Sequence, residues 1–414
     1  MKHFLFLLDE LPPTHSANGI CVDKIIDQLL SSGHQVSCIC WGEQKKDHVN
    51  VYKIKRKPFD RAVYKLRQRS TIFSKLSLLL LRVLNRIYHI MVLPWWPAES
   101  FSASNAFYKT ASTIITTQGV TDIVAVSYPG ETLSAMKKIK QKYKNRIKTV
   151  MYPLDVTLFG TTHGTLLEKS ISKHLNKRFM IKCASFADKI LVLENALTDF
   201  KQVFPATIQN RFVPIGIPLY IPKEKKSIPC KSQDIHIAFA GNLIINVRNP
   251  SLLFEILDEV SLRTQRKIYF DFYGKYDSDI GNIIKNKKHR FVFIDHGWVS
   301  ESELCNNLYK ADILANIGNN SSLIPSKLFV YLSYGKPILH QCIIDNDACL
   351  YYLKRYKNTF IVKKETAFND SILSQLAQFI TNSSNVANDD NMFESCTPKY
   401  TSNALIADYP NSDN

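Results

Sequence analysis

A lysine stands at the start of an apolar helix in the stretch SSLIPSKLFVYLSYGKPIL, residues 321–339. The apolar residues after it have the i, i+3, i+4 spacing of a buried helical face: Leu328, Phe329, Tyr331 and Leu332. The first turn of a helix carries free N–H groups and partial positive charge, so Lys327 is unfavourable there unless an anion binds. Lys327 and Ser326 are therefore candidate anion ligands. The alternative is a lysine that bends into water.

Two further loops could approach the same anion. The first predicted strand is followed by DELPPTHSANGI, in which Asn18 and Gly19 precede a helix predicted over 22–32 and would let a ligand approach the backbone. In the second half, AGNLIINVRNP contains a turn at Gly241 and Asn242, and Arg248 could bind a phosphate with its forked guanidinium group. An ordinary turn and a solvated arginine are the alternatives at these two loops.

Several common chemistries are not supported by the sequence. It contains no G-x-G-x-x-G, G-x-x-x-x-G-K-[ST] or G-x-S-x-G motif. Two acidic pairs, Asp277 with Asp279 and Asp345 with Asp347, could hold a metal, but both follow strands where Asp and Asn form turns. We therefore expect no metal site and no cofactor.

The chain of 414 residues is long enough for two domains, and its 45% hydrophobic and 21% charged content is that of a globular protein. Its nine cysteines form no C-x-x-C pair, which favours free thiols in a reducing cytosol. The apolar run at residues 3–8 is too short for a signal peptide, and the run at 76–93 contains two arginines and a histidine, so neither predicts a membrane span.

Short apolar runs alternate with amphipathic helical patterns and predict two doubly wound parallel sheets facing a cleft. We place the first domain at 1–215, a proline- and lysine-rich linker at 216–234, the second domain at 235–383, and a polar tail with a possible returning helix at 384–414. The strands are expected at 3–8, 35–41, 122–128, 148–154 and 188–193, and then at 235–240, 267–273, 290–294, 311–317, 336–342 and 359–363.

Residues 297–339, with HGWVSESELCNNLYKADILANIGNN and PSKLFVYLSYGKPIL, resemble the carboxyl domain of GT-B glycosyltransferases of the family-4 type. The resemblance is greatest to bacterial members that build capsular polysaccharide, O-antigen or exopolysaccharide. FAGNL, RNP and NRFVPIGIP also match, and the first domain is more divergent.

The resemblance implies a metal-independent, retaining transfer of a sugar from a nucleotide-sugar donor to a hydroxyl group. It places Ser326, Lys327 and Arg248 at the donor diphosphate and the loop of Trp298 and Val299 beside the nucleotide base. Asp155, in MYPLD, corresponds to a strand end that faces the transferred sugar and is the second candidate catalytic residue beside Lys327.

Two positions depart from the family pattern, which has a glutamate on the ribose and another near the sugar. Val330 and Ser322 stand at these positions, and a valine cannot accept a hydrogen bond from a hydroxyl. A catalytically altered homologue that acts as a sugar-binding or scaffold protein is therefore the alternative function.

The net charge of +17 is concentrated between Lys45 and Arg86, which contains thirteen Lys or Arg against two Asp. The pattern of about 53–96 favours a basic amphipathic insertion on an anionic membrane, where it could also attract a lipid-linked glycan acceptor. The sequence contains no nucleic-acid-binding module, so nucleic acid is not an expected partner. We expect a peripheral protein at the cytoplasmic face of the plasma membrane.

Overall fold

The computed structural model describes residues 1–13, 16–42, 45–55, 100–154, 166–222, 234–319, 323–382 and 392–409. Between residues 77 and 97 it also describes positions 77, 80, 81, 83, 84, 87, 88, 91 and 97. The chain forms two compact units. The first consists of Met1–Pro218 with Ser395–Asn414, and the second of Leu219–Glu394.

The first unit contains a seven-stranded parallel sheet with the strand order β3-β2-β1-β4-β5-β6-β7. Its strands are β1 His3–Leu7, β2 Gln35–Trp41, β3 Asn50–Ile54, β4 Asp122–Val126, β5 Lys148–Tyr152, β6 Lys189–Leu193 and β7 Phe212–Ile215. Its α-helices before the linker are α1 Ala17–Ser31, α2 Phe101–Gln118, α3 Gly130–Tyr143, α4 Leu166–Ala184, α5 Leu197–Val203 and α6 Ala206–Gln209 among the continuously described segments.

The second unit contains a six-stranded parallel sheet with the strand order β10-β9-β8-β11-β12-β13. Its strands are β8 Ile235–Ala240, β9 Ile268–Tyr273, β10 Val292–Gly297, β11 Ile313–Ile317, β12 Ile338–Gln341 and β13 Thr359–Val362. Its helices are α7 Ser251–Ser261, α8 Ser278–Asn286, α9 Glu301–Lys310, α10 Lys327–Ser333, α11 Leu350–Leu353 and α12 Asp370–Asn382.

Both sheets consist largely of apolar strands that are buried inside their units. All five residues of β1 and all five of β11 are buried, as expected for parallel strands covered on both faces. In the second unit, phenylalanines pack into one aromatic core: Phe239, Phe254, Phe270, Phe272 and Phe291. Each buried phenylalanine contributes about 1.5–3 kcal/mol of transfer free energy, so this core anchors the strands whose ends form the candidate site.

The helix α13, Pro398–Ile406, belongs to the first unit and packs against α1. The Thr397 hydroxyl accepts a hydrogen bond from the Tyr400 N–H, and Pro398 occupies the first turn, where its missing N–H is not needed. At the other end of α13, Lys189 donates to the carbonyls of Ala404 and Ala407 at 2.6 and 2.9 Å. The last helix of the chain is therefore attached to strand β6.

The predicted strands all occur, with small shifts in their ends, and two further parallel strands, β3 and β7, add to the first sheet. The predicted start of the first helix is wrong. It begins at Ala17 rather than at residue 22, because the Ser16 hydroxyl accepts a hydrogen bond from the Gly19 N–H and caps the helix.

Candidate functional site

Tight turns follow β8 and β9 at the carboxyl edge of the second sheet. The Gly241 N–H donates to the Tyr273 carbonyl at 2.9 Å, and the Gly274 N–H donates to the Gly297 carbonyl at 2.8 Å. A β-carbon at Gly274 would overlap the Gly241 carbonyl oxygen, and both glycines have positive φ, 149° and 154°. The three adjacent strands β8, β9 and β10 therefore end in closely packed backbone turns.

Arg248 lies over the first of these turns. A β-carbon at Gly241 would lie 3.0 Å from its Nη1 atom. The Arg248 Nε and Nη2 atoms donate to the Asn319 side-chain oxygen at 3.2 and 2.9 Å, and Asn319 Nδ2 donates to the Leu323 carbonyl at 2.7 Å. A polar chain thus joins the loop after β8 to the loop before α10.

The charge of Arg248 is not neutralised by any carboxylate among the residues that the structure describes. Burial lowers the pKa of its guanidinium group, whereas Tyr331 and Cys349 raise it. A guanidinium remains protonated in proteins, so the half-buried site carries an unpaired positive charge. An anion would compensate that charge.

Helix α10 is fixed beside the Gly241 turn by Tyr331. The Tyr331 hydroxyl accepts a hydrogen bond from the Ala240 N–H at 2.7 Å, and burial raises the pKa of that hydroxyl. Ser326 occupies the N-cap position without a capping hydrogen bond from its side chain. Lys327 opens the helix, half-exposed, and its ammonium group has no partner in the described part of the chain.

The second unit therefore brings together most of the predicted anion ligands. Asn319 joins Arg248 to the loop before α10, and Tyr331 joins α10 to the residue before Gly241, while Asn242 is exposed on the same turn as Gly241. The Arg248 guanidinium group and the helix that begins at Lys327 thus lie at the same edge of the second sheet. Asn319 and Tyr331 were not predicted as site residues, since their roles depend on contacts made across the sheet.

Trp298 and Val299 follow β10 at the same edge of the sheet. The Trp298 side chain is 56% exposed, and Lys275 Nζ lies 5.9 Å from the centre of its ring. Next to it, the His296 ring stacks on Tyr273 at 4.5 Å and its Nε2 atom lies 2.8 Å from Asp271 Oδ1. An exposed indole on an ordered turn can stack on a planar ring, which is the kind of contact that a nucleotide base requires.

In the first unit, Asn18 and Gly19 lie in the first turn of α1 and not in a loop before it, which corrects the predicted local structure. A β-carbon at Gly19 would overlap the Glu10 carbonyl oxygen, so the glycine allows α1 to approach the chain after β1. Asn18 is buried. The glycine therefore has a packing role, and ligand binding by these two residues remains a prediction.

Asp155 and Ser322 lie outside the described residues, and so does most of the basic segment 53–96. Their predicted roles remain predictions. Val330, by contrast, is described and is half-buried on α10, three residues after Lys327.

No family model matches the sequence, and no curated protein matches it significantly. Solved structures do match over almost the whole chain. The apo form of WaaB, a lipopolysaccharide outer core galactosyltransferase, has a TM-score of 0.56 at 13% identity and covers 98% of this chain and 99% of its own. HepE from Anabaena, in complex with UDP and glucose, has a TM-score of 0.54 at 12% identity, with coverages of 98% and 95%. WaaG, a glycosyltransferase involved in lipopolysaccharide biosynthesis, has the same TM-score and identity, with coverages of 98% and 100%.

The chain has the GT-B fold. The prediction of two Rossmann-like parallel-sheet domains is confirmed by the two sheets and by these neighbours. At 12–13% identity the similarity is one of fold, so the family-4 type within GT-B remains a prediction. Among the described residues, no helix combines the length and the apolar character that crossing a membrane requires.

Proposed function

We propose that this GT-B protein is a glycosyltransferase of the family-4 type that transfers a sugar from a nucleotide-sugar donor to a glycan acceptor in the synthesis of a bacterial surface polysaccharide. The observation that carries the proposal is the unpaired Arg248, held against the Gly241 turn and joined through Asn319 to the loop before Lys327. The structures of HepE with UDP and with UDP-glucose support a nucleoside diphosphate sugar as the donor class.

In the proposed reaction, the bond between the anomeric carbon and the diphosphate oxygen breaks, and a bond to the acceptor hydroxyl oxygen forms. The diphosphate oxygen keeps the electron pair of the broken bond and develops negative charge, and the proton of the acceptor hydroxyl is transferred to it as the nucleoside diphosphate departs. Arg248 and Lys327 stabilise this charge, which is the principal way in which a fixed site lowers such a barrier. Trp298 stacks on the base, Asp155 is the second catalytic residue beside Lys327, and the anomeric configuration is retained.

The acceptor in this proposal is lipid-linked, and the protein binds the cytoplasmic face of the membrane. The described positions between 77 and 91 are helical, and six of their apolar side chains are exposed: Leu80, Val83, Leu84, Ile87, Tyr88 and Met91. They repeat at intervals of three and four residues and so share one side of a helix. Eleven basic residues between Lys45 and Lys75 precede this exposed apolar face, which supports binding to an anionic lipid surface.

A second candidate function is favoured by Val330. If the valine leaves the ribose hydroxyls unbound, the protein could bind a sugar nucleotide without turning it over and serve as a sugar-binding or scaffold protein in polysaccharide assembly.

A donor screen distinguishes the two functions. The purified chain is titrated by calorimetry with UDP-, GDP-, ADP- and dTDP-sugars, and hydrolysis of each bound donor is then followed by phosphorus NMR. We expect one nucleotide class to bind and to be hydrolysed slowly. Binding without hydrolysis, also in the presence of lipid-linked acceptors, would support the scaffold function, and binding of none would contradict both.

A further inference from the structure

Three side chains that commonly bind metals meet beyond the carboxyl end of β12. His340 lies on the strand, Cys342 follows it, and Asp347 lies in the next loop. One ligand atom from each lies within 4.8 Å of the other two. The three residues are 0%, 6% and 5% exposed. None of them belongs to the candidate anion site.

The imidazole of His340 has partners for both of its neutral tautomers. Nε2 lies 3.2 Å from Asp347 Oδ2, so an N–H there donates to the carboxylate while Nδ1 accepts from Asn316 Nδ2 at 2.9 Å. With the proton on Nδ1 instead, that nitrogen donates to the Asn316 carbonyl at 3.1 Å and leaves the Nε2 lone pair free. A backbone carbonyl behind the second nitrogen is the usual support of a metal-binding histidine.

The carboxylate of Asp347 is also oriented from behind. Its Oδ1 atom accepts a hydrogen bond from the Cys349 N–H at 2.9 Å, which points Oδ2 towards His340. A β-carbon at Gly318 would overlap Oδ2, so the glycine after β11 provides the space that the carboxylate occupies. The neighbouring Asp345 is exposed and takes no part, which separates the two members of this acidic pair.

The combination of imidazole nitrogen, thiol sulphur and carboxylate oxygen selects the class of metal. Sulphur disfavours Mg²⁺ and Ca²⁺, and three protein ligands with a fourth position for water are typical of zinc. Tetrahedral ligands at bond lengths of about 2.0–2.3 Å lie about 3.3–3.8 Å apart. His340 Nε2 and Asp347 Oδ2 are already 3.2 Å apart, and a pair as wide as 4.8 Å would have to close by about 1 Å.

We propose that His340, Cys342 and Asp347 bind a thiophilic divalent cation of the zinc class. This proposal departs from the expectation of no metal site and does not depend on the proposed transferase function. Bound there, the ion would link the loop of residues 342–349 to the end of β12.

Cobalt is the probe for the test, because its thiolate complexes absorb visible and near-ultraviolet light. The full chain is freed of metal with a chelator, transferred to chelator-free buffer and titrated with Co²⁺ alone. We expect one Co²⁺ per chain, with ligand-field bands and a thiolate-to-cobalt charge-transfer band that Zn²⁺ abolishes. Saturation without a charge-transfer band, or no binding at micromolar Co²⁺, would overturn the proposal.

Cys342→Ser should remove the charge-transfer band and weaken Co²⁺ binding at least tenfold, because the hydroxyl of the introduced serine is a poor ligand. Cys305→Ser is the matched control, since Cys305 lies in the same unit on α9 and outside the cluster. It should bind Co²⁺ as the wild type does, and a band that survives in Cys342→Ser would contradict the assignment.

X-ray absorption at the zinc edge tests the same site without any substitution. The Zn²⁺-loaded wild type should show one sulphur neighbour at about 2.3 Å and nitrogen or oxygen neighbours at about 2.0–2.2 Å. A first shell without sulphur would rule out Cys342 as a ligand and so would overturn the site.

Discussion

The ammonium nitrogen of Lys189 lies 4.4 Å from the centre of the Tyr409 ring. The same nitrogen donates to the carbonyls of Ala404 and Ala407, and the Tyr409 hydroxyl donates to Asp122 Oδ1 at 2.5 Å. Lys2 and Lys148 lie 5.4 Å from the same ring centre. A buried lysine and an aromatic ring together hold the end of α13 against the first sheet.

The stability that Lys189 contributes should depend on pH. Burial and the nearby charge of Lys2 lower the pKa of Lys189 to about 8 in the folded protein, whereas the pKa of a lysine in an unfolded chain is about 10.4. Between these two pKa values the lysine binds more protons in the unfolded chain than in the folded protein. Its contribution to the free energy of unfolding therefore rises with pH by up to about 1.4 kcal/mol per pH unit and is constant below about pH 8. The free energy of unfolding of wild type minus that of Lys189→Met should therefore be flat from about pH 6 to 7.5 and should grow by about 1–2 kcal/mol by pH 9.5.

The free energy of opening α13 is measured by hydrogen exchange of the amides of this helix, after correction for their intrinsic exchange rates. Lys148→Met is the matched control, because that lysine faces the same ring from an exposed position, and its difference from wild type should stay constant. A Lys189→Met difference that does not change with pH would contradict the prediction.

Lys327→Ala should weaken binding of the nucleoside diphosphate by about 1–3 kcal/mol, the scale of a hydrogen bond to a charged group. The fold should persist, because the ammonium group has no partner among the described residues. Calorimetry with the diphosphate identified by the donor screen measures the effect. Lys310→Ala, at the exposed end of α9, is the control and should bind as the wild type does. Equal affinities of wild type and Lys327→Ala would exclude the role.

Arg248→Gln should lower the affinity for the same diphosphate by at least tenfold, while a nucleoside without phosphates should be bound equally well by both proteins. The difference between the two ligands isolates the contribution of the charge, which P–O⁻ groups satisfy and a neutral ligand does not. Because burial disfavours this cation, the substitution should not reduce the melting temperature in the absence of ligand. Arg290→Gln, an exposed arginine of the same unit, serves as the control. Loss of nucleoside affinity in Arg248→Gln would indicate a disturbed fold instead.

Val330→Glu tests the departure from the family pattern. If the protein turns over its donor, other groups hold the ribose, and an added glutamate should leave donor hydrolysis unchanged or increase it. The side chain is half-buried, so the carboxylate can reach water. Initial rates are compared with those of Val330→Gln, which has the same length without the charge. A collapse of folding in the glutamate variant alone would show that the position is too apolar for an unpaired carboxylate.

Binding to membranes should depend on both the charge and the apolar face of the segment around 53–96. In flotation assays, wild type should rise with anionic vesicles and less so at high salt, because salt screens the attraction. Replacing Lys65, Arg67, Arg69 and Lys75 by Gln should reduce flotation. Replacing the exposed Leu84 and Ile87 by Ser should reduce it at every salt concentration. Equal flotation with neutral and anionic vesicles, indifferent to salt, would disprove the electrostatic part.

Much of the fold could be predicted because its strands are continuous apolar runs that need no partner to be recognised. IHIAFA, and ILANI within ADILANI, are apolar except for one residue each and form the central strands β8 and β11. The edge strands β3 and β7 were missed, because NVYKI contains a lysine and FVPI a proline, and both become strands only through their neighbours. The early start of α1 was missed although the Ser16 side chain that caps the helix is a local signal.

The candidate site was predicted as far as charge and loop position allow. Arg248 and Lys327 stand out as cations at helix starts, and their loops do meet. The links between them, Asn319 and the Tyr331 hydroxyl, are ordinary polar side chains whose importance arises from contacts across the sheet. The cluster of His340, Cys342 and Asp347 has no recognisable spacing, because a strand end and a loop bring it together.

The place of α13 in the chain sets the order in which the two units can be completed during synthesis. The second unit is continuous, from Leu219 to Glu394, and can close as soon as the ribosome has released it. The first unit, although it begins at the amino terminus, must wait for residues 398–409 before α1 is covered and Lys189 finds its carbonyls and ring. A chain that stops before residue 398 therefore contains all of the second unit but lacks the helix, the carbonyls and the ring that complete the first.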